Sequence, residues 1–417
     1  MTSANWAGNY LYRAEHLAKP ASVEELQDVV ARADRVKALG SRHSFNDVAD
    51  TGGIQVSLEN LPVELTIDRS THTVTVNAGA RYGEFVERLH DAGWAIHNLA
   101  SLPHISVAGA IATGTHGSGD GNLNLAAVVA GLEFVTADGR LQNVKRGDPE
   151  FAGMVVALGA LGVVTSVTLD IEPTFEVRQD VFTGLSWSQL HEHFDDVTSS
   201  AYSVSIFGTW GEVAATQVWL KSRVDGDTTA ARQPELFGAV KANHNLHPLP
   251  DGPSMNSTEQ GGMPGPWWNR LAHFKLEFTP SAGEELQSEY LVPREHALDA
   301  IDVVRALGPR LSPHLLISEI RTMKADGLWL SPAYDRDAVG IHFTWKQDDA
   351  VRDLLGVIEA ALAPFDARPH WGKLFTTDSS RLSELYPKLP DFRELAARLD
   401  PSGKFRNDYL DRTIFGA

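Results

Sequence analysis

The sequence predicts an α+β protein of two domains. At 417 residues the chain is long for a single core. Residues 1–175 alternate short strand-like runs with helical ones, whereas residues 176–370 read as antiparallel-style strands. Residues 371–417 end in a helical run stopped by Pro and Gly, which suggests a segment packing back onto the first domain.

The elements of the first domain follow in order. Val23–Arg32 has apolar residues at helical spacing, with Ser22 placed to cap it. Strands are expected at 36–39, 54–58 and 73–77, then a helix over 83–92 through Phe85, Leu89 and Ala92. Further strands are expected at 132–136 and 163–171. The uncharged run 151–169 contains Gly153, Gly159 and Gly162 and then turns β-branched. It reads as a buried helix, a turn and a buried strand rather than a membrane span. Glu172-Pro173 closes this block.

In the second domain, strands are expected at 201–207, 216–221, 315–322 and 338–345. Between Ser222 and Arg270 the composition turns to Pro, Gly, Asn, His and Trp without periodicity. Such a stretch is either a loop near a site or a mobile segment. The closing helical run begins near Ser383 and leads into Asp400-Pro401-Ser402-Gly403-Lys404-Phe405.

Bulk properties narrow the function. The formal charge of −18 argues against nucleic acid and anionic membrane as partners, since both require a basic face. The absence of cysteine excludes disulfides, thiolate metal sites and cysteine nucleophiles. The mixed, polar N-terminus lacks the pattern of a signal peptide, so a cytoplasmic protein is expected. No exposed heptad or apolar stripe calls for an obligate dimer, and a monomer is expected.

Three segments carry chemistry. In 37–45, an apolar run enters the Gly40-Ser41 turn, whose backbone N–H groups can cradle a pyrophosphate, and His43 stands beside it. An ordinary turn histidine remains the alternative. Residues 101–119 hold four glycines and five hydroxyls, a backbone suited to close approach by a diphosphate, or else a long turn. Neither a Walker loop nor the dinucleotide fingerprint is present. Strand alternation places Glu319 with Arg321, and His342 with Thr344, on polar faces, and Lys373 adds a third cation-bearing segment. Each pair could equally be a solvated strand face. His191 and His193 flank Glu192 without a third ligand, so no metal site is expected. Trp267-Trp268 is expected to pack the second domain, and Asp195-Asp196 to be a solvated turn.

Taken together, Gly40-Ser41-Arg42-His43-Ser44-Phe45, Thr113-Gly114-Thr115-His116-Gly117, Gly159 to Thr165 and the tail Asp400-Pro401 to Asn407 resemble the vanillyl-alcohol-oxidase-type (PCMH-type) flavoproteins. Within them the likeness is to the alditol oxidases and runs from Trp6 to the tail. The resemblance implies FAD held by the N-terminal domain and the returning tail, beneath an α+β cap domain built on an antiparallel sheet. It implies cofactor contacts from Leu39, Gly40, Ser41, Arg42, His43, Ser44, Ala100, Ser101, Ser106, Gly109, Thr113, Gly114, Thr115, His116, Val164, His370 and Asn407, with His43 the covalent attachment point. With no cysteine, only a single link is possible. It implies further that Arg321, Lys373 and Glu319 carry catalysis, and that Ser101, His342 and Thr344 join them in binding a polyol such as xylitol or sorbitol. Oxygen would be reduced to hydrogen peroxide, reaching the flavin past Ala100. A sugar-1,4-lactone oxidase or dehydrogenase is the alternative within the family. A non-catalytic flavin- or sugar-binding protein is the alternative outside it.

Overall fold

Two large apolar cores organise the protein, whose computed structural model describes residues 4–211, 213–224 and 234–416. Expectations that touch 1–3, 225–233 or 417 lie outside the described residues.

The first core is built around two sheets. Ile54–Val56 lies between His16–Ala18 and Val36–Ala38, parallel to both. A five-stranded antiparallel sheet runs in the order Leu65–Asp68, Thr73–Asn77, Val163–Asp170, Val129–Val135, Leu141–Lys145. In its central strand Val163, Thr165, Val167 and Leu169 are buried and their neighbours half-buried, the period-2 pattern of a sheet with one core face. The two edge strands, 65–68 and 141–145, were not foreseen. Leu65-Thr66-Ile67-Asp68 does alternate, but over only four residues, and 141–145 turns only Val144 fully inward. The Ser22 hydroxyl accepts the Glu25 N–H and caps Val23–Arg32, which turns Leu26 and Val30 inward. Of the run 151–169, only Phe151–Met154 is helical. Leu158, Gly159 and Gly162 then take positive φ, and the chain enters the strand at Val163.

The second core underlies a ten-stranded, wholly antiparallel sheet. Its middle runs Glu176–Thr183, Gln217–Val224, Ser203–Gly208, Leu315–Met323, Ala338–Trp345, Leu286–Pro293. Helices Ala297–Ala306 and Ala350–Leu362 cover one face, where Ala300, Ile301, Val304, Leu355 and Ile358 join Ile206, Ile320, Ile341 and Phe343 in one apolar cluster. Alternation sends the intervening side chains to the opposite face. Glu319 lies opposite His342, which lies opposite Glu289, while Phe207 stands beside Glu319 and Thr344 beside Ile317. That second face looks onto the cavity described below.

The tail returns to the first core. Leu382, Leu385, Phe392, Leu395, Phe405, Tyr409 and Leu410 pack in the same cluster as Val74, Phe85 and Val167. The closing helical run is two helices, Ser379–Leu385 and Leu389–Leu399, because Pro387 has no N–H with which to continue the first. Trp267 corrects an expectation: it is fully buried in the first core beside Phe175, its indole N–H donating to Trp94 O, and does not pack the second. No helix among the described residues is long and apolar enough to cross a membrane.

Candidate active site

A cavity runs from the loops of the first core to the open face of the ten-stranded sheet. Its first-core end is formed by 38–45 and by 105–113, two loops joined by reciprocal bonds. Ser41 N–H donates to Ser106 Oγ at 3.3 Å, and Ser106 N–H donates to Ser41 Oγ at 3.0 Å. The glycines are required here by space. A Cβ on Gly40 would stand 2.5 Å from Ser106 Oγ, and one on Gly109 2.8 Å from the same atom. The tail braces this end. Asn46 donates to Trp371 O and Lys373 O, Phe45 N–H donates to Gly372 O, and Lys37 Nζ donates to Leu158 O, Gly159 O and Phe405 O.

His43 follows Arg42, whose φ of +65° is a left-handed turn that a non-glycine residue adopts at a cost. The imidazole stacks on Trp6 with centroids 5.2 Å apart. Both ring nitrogens are buried, and neither makes a hydrogen bond. A turn histidine satisfied by its surroundings would not look like this. Burial, then the neighbouring His104 and Arg81, push the ring down to about 3, so it is unprotonated at neutral pH.

The other end of the cavity is a buried polar cluster. Glu319, Arg321, His342 and Thr344 are each no more than 6% exposed, which removes the solvated-face reading of both pairs. Arg321 Nη2 donates to Glu289 Oε1 at 2.8 Å, and Lys373 Nζ donates to Glu289 Oε2 at 2.6 Å. Lys373 also donates to His342 Nδ1 at 2.8 Å, so the His342 proton sits on Nε2 and goes to Thr344 Oγ1 at 2.9 Å. Burial, then Lys373, hold His342 well below its usual value, in keeping with that neutral tautomer. Burial opposes ionisation of Glu289, but Lys373, Arg321 and His116 outweigh it and hold the carboxyl well below its ordinary range. Burial lowers Lys373, and Glu289 counteracts it. Capacity is left over on this cluster. Arg321 Nε is unbonded, Arg321 Nη1 makes only long contacts to Ser101 Oγ (3.4 Å) and His116 O (3.5 Å), and one Lys373 N–H remains.

Most residues singled out from the sequence meet here. Leu39, Gly40, Ser41, Arg42, His43, Ser44, Ala100, Ser101, Ser106, Gly109, Thr113, Thr115, His116, Val164 and His370 line the cavity together with Glu319, Arg321, His342, Thr344 and Lys373. Two do not. Gly114, at φ +64°, lies against Pro332 behind the loop, where the turn needs a left-handed residue. Asn407 spends its amide on Asp47 O, Val48 O and Asp50 O and its carbonyl on Leu410 N–H, so it holds the loop that carries His43 from behind. Sequence reading missed Glu289, because the strand Leu286–Pro293 is buried on both faces and shows no alternation. It also missed His273, which lies just past the aperiodic stretch 222–270 and in no expected element. Asp195 and Asp196 are solvated as expected but lie in the first turn of the helix Phe194–Thr198 and not in a turn between elements, and Asp195 also pairs with Arg294 at 2.7 Å.

Comparison with known proteins bears on both ends of the cavity. Residues 14–145 match the family model of an FAD binding domain, and residues 283–413 match that of D-arabinono-1,4-lactone oxidase. The chain is 50% identical to an alditol oxidase from a Streptomyces species over 416 residues, 99% of each protein. It is 30% identical to L-gulono-1,4-lactone dehydrogenase of Mycobacterium tuberculosis over 99% of this chain and 98% of that one. Among solved structures, a solvent-stable cholesterol oxidase superposes with a TM-score of 0.81 at 17% identity, over 98% of this chain and 96% of that one, a likeness of fold.

Proposed function

This chain belongs to the vanillyl-alcohol-oxidase-type FAD flavoproteins, in the branch that holds the alditol oxidases, and from that premise we propose that it oxidises the terminal primary hydroxyl of sugar alcohols such as xylitol and sorbitol to the aldose, with oxygen reduced to hydrogen peroxide. Residues 1–175 with 371–417 form the FAD-binding unit and 176–370 the cap. The observation that carries the reading is the buried cluster of Arg321, Lys373, Glu289 and Glu319, with spare donors and acceptors turned into the cavity that His43 also lines.

The loops fit FAD. Gly40 and Gly109 let the two loops close on Ser106 with no side chain between them, which leaves backbone at the cavity wall, and His43 presents a neutral imidazole whose ring nitrogens have no hydrogen-bond partner. We assign the link to the flavin to His43, whose free lone pair is the nucleophile such a bond needs. FAD bound here would accept a hydride from the carbinol carbon and pass the electrons to oxygen. The chain's own residues do the rest. Arg321 Nη1 and the remaining Lys373 N–H polarise the reacting hydroxyl and ease loss of its proton. Glu319 Oε2, which lies 3.6 Å from Arg321 Nε, accepts from a neighbouring hydroxyl. Thr344 Oγ, already accepting from His342, donates to another, and Ser101 Oγ completes the set.

The test is peroxide formation under air with xylitol, sorbitol and galactono-1,4-lactone side by side. Peroxide from the polyols is expected. Reduction by the lactone alone, with no response to polyols, would transfer the assignment to the lactone branch represented by the 30%-identical relative.

A further inference from the structure

We infer that Lys221 and His273 are positioning residues for this chemistry: they aim the Glu319 carboxylate into the cavity and keep it in register with Ser101, which approaches from the FAD side. The inference rests on the polyol reading above and adds two residues that neither touch the reacting atoms nor belong to the cation pair.

Three elements converge. Lys221 projects from the strand Gln217–Val224, His273 follows the short helix Trp268–Leu271, and Glu319 sits in Leu315–Met323. Lys221 Nζ reaches Leu271 O at 2.6 Å, Ala272 O at 3.0 Å and His273 Nδ1 at 2.9 Å. His273 Nε2 reaches Glu319 Oε1 at 2.8 Å. None of the three side chains is more than 6% exposed. The imidazole is boxed by Trp219, Phe207 and Phe274, with ring centroids 5.2, 5.7 and 6.4 Å away, and besides Glu319 its Nε2 has only a long contact, to Ser205 Oγ at 3.4 Å.

Proton counting fixes what this chain of contacts does. Burial alone disfavours a charged Glu319, but Arg321 on its own strand and His273, then His342 from the adjacent strand, hold it ionised. Lys221 stands behind His273, while Lys373 and Glu289 complete the charges around the site. An ionised Glu319 at 2.8 Å from Nε2 requires the proton on Nε2. Nδ1 then accepts from Lys221, whose three acceptors match the three N–H bonds of an ammonium. Burial pushes the lysine well down, Arg321 adds to that, and the Glu319 charge opposes it. His273, pushed by burial and by Lys221 down to about 4, stays neutral across the working range. One Glu319 oxygen is thereby spent on His273, which turns the other toward substrate.

The same turn reaches Ser101. The N–H groups of His273 and Phe274 both donate to Ser101 O, at 3.0 and 3.2 Å. Thr258 Oγ1 donates to Ala272 O and clamps the turn from outside. Two groups that contact substrate on opposite sides of the cavity, one on the cap strand and one on the FAD-side loop, are therefore set by one four-residue turn.

The experiment uses the FAD-loaded protein and compares His273→Leu with His273→Gln in anaerobic flavin reduction by xylitol. Leu removes the donor to Glu319, while the Gln amide can still supply one. We expect the Leu variant to raise the xylitol concentration for half-maximal reduction at least about tenfold, the range of a lost hydrogen bond to a charged group. The Gln variant should restore it. A Leu variant within about twofold of the parent, or a Gln variant as impaired as Leu, overturns the inference. Should the Leu variant not accumulate with FAD, His273→Asn, too short to reach Glu319, is judged by the same criteria. A readout independent of substrate is the ¹⁵N spectrum of the unmodified protein's histidines. The inference requires a His273 ring protonated on Nε2 and not titrating between about pH 5 and 8, where a free imidazole would change charge. A ring protonated on Nδ1 overturns it. Silence toward every polyol with that tautomer present would sink the functional reading and leave the relay standing.

Discussion

Replacing Glu289 by Gln keeps the shape of the side chain and removes one negative charge from between two cations. The carboxylate is fully buried, bonded to Arg321 at 2.8 Å and Lys373 at 2.6 Å, with His116 Nε2 3.3 Å away. Breaking a buried pair by removing one partner costs about 3–5 kcal/mol, because the other charges remain desolvated. Spread over the unfolding entropy of a chain this long, that lowers the melting transition by roughly 3–6 °C. The kinetic effect follows from Lys373. Burial already lowers its pKa, and Glu289 is the main group raising it. In the proposed reaction Lys373 polarises substrate as an ammonium, so activity should be lost as pH rises through its pKa. Without Glu289 that pKa falls, and the alkaline limb of kcat/KM moves to lower pH, with a loss at neutrality of about tenfold or more. For stability the sign is the reverse. A depressed carboxylate contributes above its unfolded pKa and loses that contribution as pH falls through its folded value. The melting difference between parent and variant should therefore be full at neutral pH and narrow only in strong acid. Differential scanning calorimetry and a kcat/KM–pH profile read the two effects separately. A variant within about threefold in kcat/KM, with an unmoved alkaline limb, would refute the role given to Glu289.

Other substitutions test other parts of the cavity. Acid-denatured parent protein should keep its yellow colour in the pellet, while His43→Ala should release it to the supernatant; colour released from the parent would refute the covalent assignment. Lys373→Ala should lower kcat/KM by about a hundredfold or more with little change in the flavin spectrum, and survival of activity within about threefold would remove Lys373 from the reaction. Ala100, nearly buried and lining the cavity, should admit oxygen, so Ala100→Leu should slow reoxidation by oxygen in stopped flow while leaving reduction by xylitol within about threefold. Equal slowing of both half-reactions would point to displaced FAD instead.

Local periodicity made much of the site readable. Glu319 and Arg321, like His342 and Thr344, share a face because strand side chains alternate, and the glycine–hydroxyl loops announced a backbone built for close approach. What periodicity could not supply was depth. A strand buried on both faces, such as Leu286–Pro293, has no alternation to read, so Glu289 was invisible although it joins both cations. His273 belongs to a stretch whose order comes from Lys221 and Thr258, far away in sequence. Gly114 and Asn407 show the opposite case. Their motifs were visible, but the motif did not say which residues face the cavity and which hold the loop from behind. The tail's return was legible from its Pro and Gly stops, whereas the break at Pro387 depended on where the helix before it had to end.

The pairing of charges also bears on which substrates the cavity can take. Arg321 and Lys373 stand against Glu289 and Glu319, and both cations are already bonded to Glu289. A carboxylate substrate would have to compete with that buried carboxylate for the same donors, with a negative Glu319 close by. A hydroxyl asks for less. It can donate to Glu319 Oε2 and accept from the spare N–H groups of Arg321 and Lys373 without displacing any partner. A polyol repeats that donor-and-acceptor request at each carbon, and Thr344 and Ser101 are hydroxyls able to answer either way. A sugar-1,4-lactone keeps hydroxyls on its ring, but its carbonyl and ring oxygen only accept, so fewer of its oxygens can donate to Glu319 Oε2 than those of an open-chain polyol. Glu319 Oε2 is therefore the acceptor through which we expect an open-chain alcohol to be preferred.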